Sequence, residues 1–298
     1  MAPGAPGVLG GPPVRGAVAG DPTLVEALLL GALQGATEWL PVSSSGHLVL
    51  AQEYLGVRAP IFFDLLLHVG TLAVVTLFLR KDVVRIVRGF LSAPRAMRAG
   101  GGARDVFWAD IDRRMGVLVL AGSVPTAAIG FLLRPQFESM FESPLAVGVS
   151  LLVTGAFLLL LRWAPPTRGD GTPGLADALW VGIAQGAAVA PGVSRSGATI
   201  GAALLRGVDR EFAVRLSFLL SIPAIAGASL FQASGAALGA AAEAWPVYLV
   251  GTATSAAAGW ACLSLLVRVV RGAKMHYFAA YCLALGGLVV SASVGLLG

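Results

Sequence analysis

The chain has 298 residues, of which 56% are hydrophobic and only 12% charged, with a formal net charge of +5 and a mean hydropathy of +0.81. So low a charged fraction excludes a disordered chain, an ordinary soluble enzyme and a basic nucleic-acid-binding domain. It predicts an all-α polytopic membrane protein, in which loop Lys and Arg set orientation rather than bind nucleic acid. Residues 1–20 are rich in Gly, Pro and Ala with a single charge, Arg15, and read as a disordered N-terminal tail. Residues 21–298 read as one integral membrane domain. Leu24–Leu55 is apolar but broken by PVSSSG, so each half is too short to span a bilayer and the pair reads as a re-entrant helix–loop–helix. Ile61–Leu79 is long enough to cross, and the basic stretch 80–114 after it reads as a solvated cytoplasmic loop. Met115–Leu133 and Leu145–Leu161 are the next crossings; Leu175–Leu205 is a second broken pair. Phe212–Phe231, Trp245–Val267 and Tyr277–Leu297 complete six full crossings and ten helices in all. Pro125 and Pro223 sit inside two crossings, where kinks are expected. Cys262 and Cys282 lie in apolar stretches and read as small packing residues.

The two broken stretches are copies of one another. Leu24–Gly46 aligns without a gap on Leu175–Gly197 with 11 identities in 23 positions, among them Gln34/Gln185, Gly35/Gly186, Ser43/Ser194, Ser45/Ser196 and Gly46/Gly197. Repeat one spans about 24–162 and repeat two about 175–297, each a re-entrant pair followed by three crossings. Three is odd, so the second repeat is inverted relative to the first. Inverted repeats with broken helices place a polar site near the midplane, where the interruptions meet. With the N-terminus outside, 17 of the 21 Lys and Arg fall on the inner side, so both termini are expected outside the cytoplasm.

Irregular backbone at membrane depth is tolerated only where protein or a wet cavity surrounds it, so Pro41–His47 and Pro191–Thr199 are expected to line a cavity. Ionisable side chains placed there imply function. Arg195, between Ser194 and Ser196 at a helix start, suits an anion, because its planar fork matches phosphate oxygens. The N–H groups around Gly197 and the Thr199 hydroxyl add donors. A structural pairing of Arg195 with Glu38 is the plainer reading. Gln34 and Glu38 share a helix face and offer oxygen to a hard divalent cation, Mg2+ or Ca2+, with an interhelical hydrogen bond as the competing role for Gln34. Gln185, whose copy has Val189 where Glu38 stands, is expected to do only the latter. His47 follows Ser43, Ser44, Ser45 and Gly46, and its counterpart is Ala198, so the turn itself does not need a histidine. It can be a nucleophile, a base for one, or an acid for a leaving group. Asp64 and His68, also four apart, read as an interfacial hydrogen-bonding pair. Gly31/Gly35 and Gly182/Gly186 are spacings for close helix contact.

LGALQGATEWLPVSSSGHL and PGVSRSGAT resemble the two signature regions of the undecaprenyl-diphosphate phosphatase family, the bacitracin-resistance phosphatases of bacteria. FDLLLHVGT and SFLLSIPAI are also similar to family segments, and the resemblance covers about residues 22–298. It implies hydrolysis of undecaprenyl diphosphate to undecaprenyl phosphate and inorganic phosphate, which recycles the lipid carrier for peptidoglycan synthesis and confers bacitracin resistance. It implies a divalent cation, a multi-pass protein of the bacterial plasma (inner) membrane, and a site facing the extracytoplasmic side. Carried over by position, the catalytic residues are Glu38, Ser44, His47 and Arg195. Ser43, Ser45, Ser194, Ser196, Gly197 and Thr199 bind substrate, and Glu38 and Gln34 hold the metal. Gln34 stands where Glu is common in the family, which leaves one fewer negative charge for the cation. The expected partners are the polyprenyl diphosphate and membrane lipid, with no nucleic acid; a homodimer is left open. Ser44 with His47 as its base, or His47 attacking directly, both remain open. A lipid-phosphate transporter or flippase built on the same inverted repeats is the competing reading, disfavoured because transport alone needs no nucleophile.

Overall fold

A computed structural model describes residues 21–57, 59–235 and 244–296. The tail 1–20 with Arg15, the outer-side Arg58 and most of the loop between the fourth and fifth expected crossings lie outside the described residues. All regular structure among the described residues is helical. The first broken stretch forms α1 (Leu24–Trp39) and α2 (Ser44–Leu55), and the second forms α9 (Leu175–Ala187) and α10 (Arg195–Leu205). Local chemistry sets these boundaries. Thr23 and Glu26 form a capping box that opens α1, and Leu40 is extended ahead of Pro41, where the α-region is disfavoured. Ser43 and Ser194 cap the two second helices by accepting from the N–H groups of Gly46 and Gly197.

Among the described residues, five helices are long and apolar enough to cross a membrane: α3 (Ile61–Phe78), α6 (Ile111–Leu132), α8 (Pro144–Leu160, extended by a 3-10 turn to Trp163), α11 (Arg210–Gly235) and α12 (Trp245–Arg271). The last apolar helix, α13 (Tyr277–Ser293), has 17 residues and is about 26 Å long. These elements make the chain a multi-pass membrane protein. Both α6 and α11 continue through their internal prolines.

The described residues hold 13 α-helices rather than ten. The expectation of a loop over 80–114 is corrected: α4 (Arg80–Arg98) and α5 (Ala103–Trp108) occupy it, and the short α7 (Arg134–Phe141) precedes α8. The reason is an amphipathic stripe diluted by arginines. Val83, Ile86, Phe90 and Ala93 fall at helical spacing, and Phe90 lies over Gly116 of α6. Arg113 then fastens the segment, donating to the carbonyls of Gly89 (3.1 Å) and Val106 (3.0 Å) and to Ser92 Oγ (3.1 Å).

The helices pack as exchanged pairs: α1 lies along α12, and α9 along α6, while α8 runs along α13. Glycine decides how close these pairs come. A Cβ on Gly31 would sit 2.4 Å from the Gly251 carbonyl oxygen, and one on Gly182 would sit 2.1 Å from that of Gly122. Thr126 donates to the Gly182 carbonyl across the same contact at 2.9 Å. Without a hydrophobic driving force between helices in lipid, such backbone approach is what holds them together. Gly182→Ala therefore forces α9 off α6 and is expected to lower the midpoint of thermal unfolding in detergent by about 5 °C. Gly227→Ala, on α11 with nothing among the described residues within 4 Å of the new methyl, should leave it unchanged. Equal midpoints for the two variants would mean that this contact does not limit stability.

Candidate active site

Gln34 and Glu38 lie one turn apart on the buried face of α1. The chain then breaks, and Ser43 takes a left-handed φ of 70°, unusual for a residue with a Cβ. That conformation lets one hydroxyl serve both loops, because Ser43 Oγ accepts from Gly46 N at 3.3 Å and from Gly192 N of the second interruption at 3.1 Å. The loops touch reciprocally. A Cβ on Gly46 would lie 3.0 Å from Gly192 Cα, and one on Gly197 would lie 3.2 Å from Pro41 Cβ.

Glu38 is at the centre of the cluster and buried. One carboxylate oxygen accepts from Gln34 Nε2 at 3.0 Å and from the Ser44 hydroxyl, and the other accepts from the Arg195 guanidinium. Arg195 opens α10, and its guanidinium also lies over the Trp39 ring, 5.8 Å from the centroid. His47 is buried next to this cluster but makes different bonds. Its Nδ1 is 2.7 Å from the Ser43 carbonyl and its Nε2 is 2.6 Å from the Tyr281 hydroxyl. A carbonyl can only accept, so Nδ1 carries the proton and Nε2 is the acceptor that Tyr281 occupies. The two rings stack with an interplanar angle of 9°.

Among the other residues singled out by sequence, Ser44 and Ser45 are half-buried, and Ser45 Oγ lies 3.4 Å from Ser43 Oγ. Ser194 Oγ caps α10 and lies 3.3 Å from Ser196 Oγ, which donates to the Leu40 carbonyl. Thr199 is fully buried and bonds the Arg195 carbonyl and Ser217 Oγ. Asp64 accepts from Gln52 at 3.0 Å, while His68 bonds the Asp64 carbonyl at 2.8 Å. Gln185 donates to the Leu220 carbonyl at 3.3 Å, an interhelical bond. No hydrogen bond joins Ser44 to His47 among the described residues: the Ser44 proton points at Glu38. The sequence reading missed Tyr281, whose one signal was a hydroxyl inside an apolar run, where it needs a partner. Trp39 was likewise absent from that reading.

The donor set bears on a cation. Gln34 Oε1 is buried with no hydrogen-bond partner among the described residues. Turning the amide over would set Oε1 about where Nε2 now stands, 3.0 Å from a Glu38 oxygen, so two oxygens would face one point. No group of three or more His, Cys, Asp or Glu able to hold a metal occurs among the described residues. One carboxylate and one amide suit an ion such as Mg2+, which takes few protein ligands and fills its shell with water and phosphate oxygens.

Residues 27–288 match the family described as "Bacitracin resistance protein BacA". The chain belongs to the bacitracin resistance protein BacA family. A protein of Desulforapulum autotrophicum named undecaprenyl-diphosphatase is 42% identical over 266 residues, covering 88% of this chain and 96% of its own length. Proteins of the same name from Methanosphaera stadtmanae and Rubrobacter xylanophilus are 39% and 42% identical, covering 92% and 90% of this chain and 99% and 97% of their own lengths. The second broken pair and every residue of the cluster, Tyr281 included, lie inside the BacA match, which starts within α1 at residue 27.

In this BacA protein Tyr281 fixes the face that His47 presents. Removing its hydroxyl frees the Nε2 lone pair without disturbing the bond at Nδ1. A hydrogen bond of this kind contributes about 1 kcal/mol. Tyr281→Phe should therefore raise the rate at which diethyl pyrocarbonate modifies His47 by about fivefold, read by mass spectrometry on the His47 peptide. An unchanged rate would mean that Tyr281 does not shield this nitrogen.

Proposed function

We propose that this chain is an integral membrane phosphatase that hydrolyses undecaprenyl diphosphate to undecaprenyl phosphate and inorganic phosphate. That activity recycles the lipid carrier of peptidoglycan synthesis and confers bacitracin resistance. The observation that carries the reading is the Glu38 cluster, in which a guanidinium, a hydroxyl and a carboxylate from both broken helices meet at one buried point. The family and the names of its relatives supply the substrate. Arg195 and the helix-start N–H groups of α10 are suited to the terminal phosphate and to the charge spread over its oxygens in the transition state. Ser43, Ser45, Ser194, Ser196, Gly197 and Thr199 build that surround, several through the hydrogen bonds that shape the two loops.

The geometry favours Ser44 as nucleophile. Its oxygen attacks the terminal phosphorus, the bond to the bridging oxygen breaks, and undecaprenyl phosphate leaves; water then releases phosphate from the seryl ester. Glu38, which accepts the Ser44 hydroxyl hydrogen bond, would take the Ser44 proton, a role for which the sequence offered His47 as one of two alternatives. Attack by His47 would require Tyr281 to release Nε2, and a role as acid for the leaving group requires the same movement. A divalent cation, Mg2+ or Ca2+, would be held by Glu38 and Gln34, and supplies charge neutralisation at the bridging and leaving oxygens when bound.

The same reading takes residues 21–298 as one domain of two inverted repeats with six crossings, α13 being the sixth. Exchanged contacts support it, since α1 on α12 mirrors α9 on α6, and Gly46 on Gly192 mirrors Gly197 on Pro41. The charge asymmetry supports termini and a site mouth outside the cytoplasm of a bacterial plasma membrane. A lipid-phosphate flippase remains the second reading, favoured only by the repeat architecture.

Purified protein should release phosphate from a prenyl diphosphate, and a chelator should stop it. Binding of the lipid without phosphate release, in the presence of Mg2+ or Ca2+, would favour the flippase. Arg195→Lys separates orientation from charge, because lysine keeps the charge and loses the planar fork. Turnover is expected to fall about 10²-fold with little change in Michaelis constant. Near-normal turnover would reduce Arg195 to the counter-ion of Glu38.

A further inference from the structure

We propose a second lipid site at the opposite, basic end of the molecule: a groove that takes the phosphate headgroup of an anionic phospholipid and lays its chain along the α8–α13 seam. The proposal goes beyond the phosphatase reading and does not depend on it. Two cavities adjoin there. One, of about 470 Å³, lies between the 3-10 turn after α8, the end of α10, the start of α11 and the α12–α13 turn. The other, of about 450 Å³ and more open, runs beside Leu159, Tyr277, Ala280 and Leu283. Arg162 and His276 line both, so they stand at the junction, and Arg210 enters the first from α11.

The charge pattern selects an anion. Among the described residues, no carboxylate lines either cavity. The nearby acids are already engaged: Asp177 holds Arg168 and Arg206, Glu211 pairs with Arg271, Asp170 caps Thr172 N, and Asp209 caps Glu211 N. Arg162 and Arg210 form no ion pair with any of these acids among the described residues, so their guanidinium groups are left to face the cavities. The apolar side selects a lipid. Val208, Val270 and Met275 form a buried floor under the headgroup chamber, and the second cavity continues over aliphatic side chains. Trp163 and Tyr277 are 70% and 65% exposed at the adjoining helix ends, which sets this groove at the depth where aromatic side chains meet headgroups. A free phosphate would use the arginines and gain nothing from the seam; a phospholipid uses both.

The test is native mass spectrometry of the full chain released from bilayers of phosphatidylcholine with phosphatidylglycerol. Wild type should retain one phosphatidylglycerol. Arg162→Gln combined with Arg210→Gln should weaken retention about thirtyfold, the loss set by two cations at an anionic headgroup. Arg88→Gln combined with Arg98→Gln, two exposed residues of α4, should retain it like wild type. Ala280→Trp fills the seam without changing charge and should also displace the lipid, whereas added inorganic phosphate should not. Retention that falls equally in the α4 variant would mean diffuse attraction to basic surface and overturn the site. Displacement by inorganic phosphate, with Ala280→Trp silent, would make it an anion pocket and overturn the lipid assignment. Each arm reads bound lipid in folded protein, so loss of phosphatase activity has no bearing on it.

Discussion

A carboxylate buried at membrane depth must be compensated by protein, and Glu38 is compensated from both halves of the chain. Arg195 approaches from the second broken pair, and Gln34 and Ser44 from the first. This one group therefore requires the loops to meet, and their meeting requires the small residues around it. Gly46 and Gly197 leave room for the opposite loop, and Ser43 accepts the left-handed backbone that lets its hydroxyl reach Gly192. The glycine-tight pairs α1–α12 and α9–α6 then hold α1 and α9, the helices that lead into the two loops.

The same arrangement explains how backbone breaks survive in an apolar surround. Each interruption exposes N–H groups at a helix start, and each is answered by a serine one residue upstream of the new helix. The Thr154 hydroxyl closes the rest, donating to the Gly192 carbonyl and accepting from Ser194 N. Thr154 lies on α8, an unbroken helix, so the second loop is anchored to a rigid element rather than to its own copy alone. Positioning of this kind keeps Arg195 aimed at the cluster.

Much of this was legible in the sequence because it rests on local signals. Hydropathy marked the long helices, and the gapless match of Leu24–Gly46 to Leu175–Gly197 marked both breaks. The motif residues Gln34, Glu38, Ser44 and Arg195 fall together in space. Two things were not legible. α4 was hidden because six of its 19 residues are Lys or Arg, so hydropathy reads as loop although Val83, Ile86 and Phe90 keep helical spacing. The partner of His47 was hidden because Tyr281 is 234 residues away, and only the packing of α13 on α8 beside the loop brings it there. Proximity in the motif suggested His47 for Ser44, but although the two lie one turn apart on α2 each is taken by another partner, Ser44 by Glu38 and His47 by Tyr281.

That separation bears on how the cluster would work. In the arrangement observed, Arg195 and Glu38 satisfy each other, so an entering phosphate competes with a carboxylate for the guanidinium. On the proposed reading this competition is useful. Phosphate that draws Arg195 away removes the cation holding one Glu38 oxygen, and a carboxylate with fewer donors is a better acceptor for the Ser44 proton. The base would thus gain strength when substrate occupies the site and not before. A transporter has no need for that coupling, since an anion bound and released by Arg195 would be served equally by a Glu38 with no hydroxyl on it. The Ser44 hydrogen bond to Glu38 is accordingly the feature that weighs hydrolysis above transport, because it joins the anion-binding residue to a nucleophile through a single shared carboxylate.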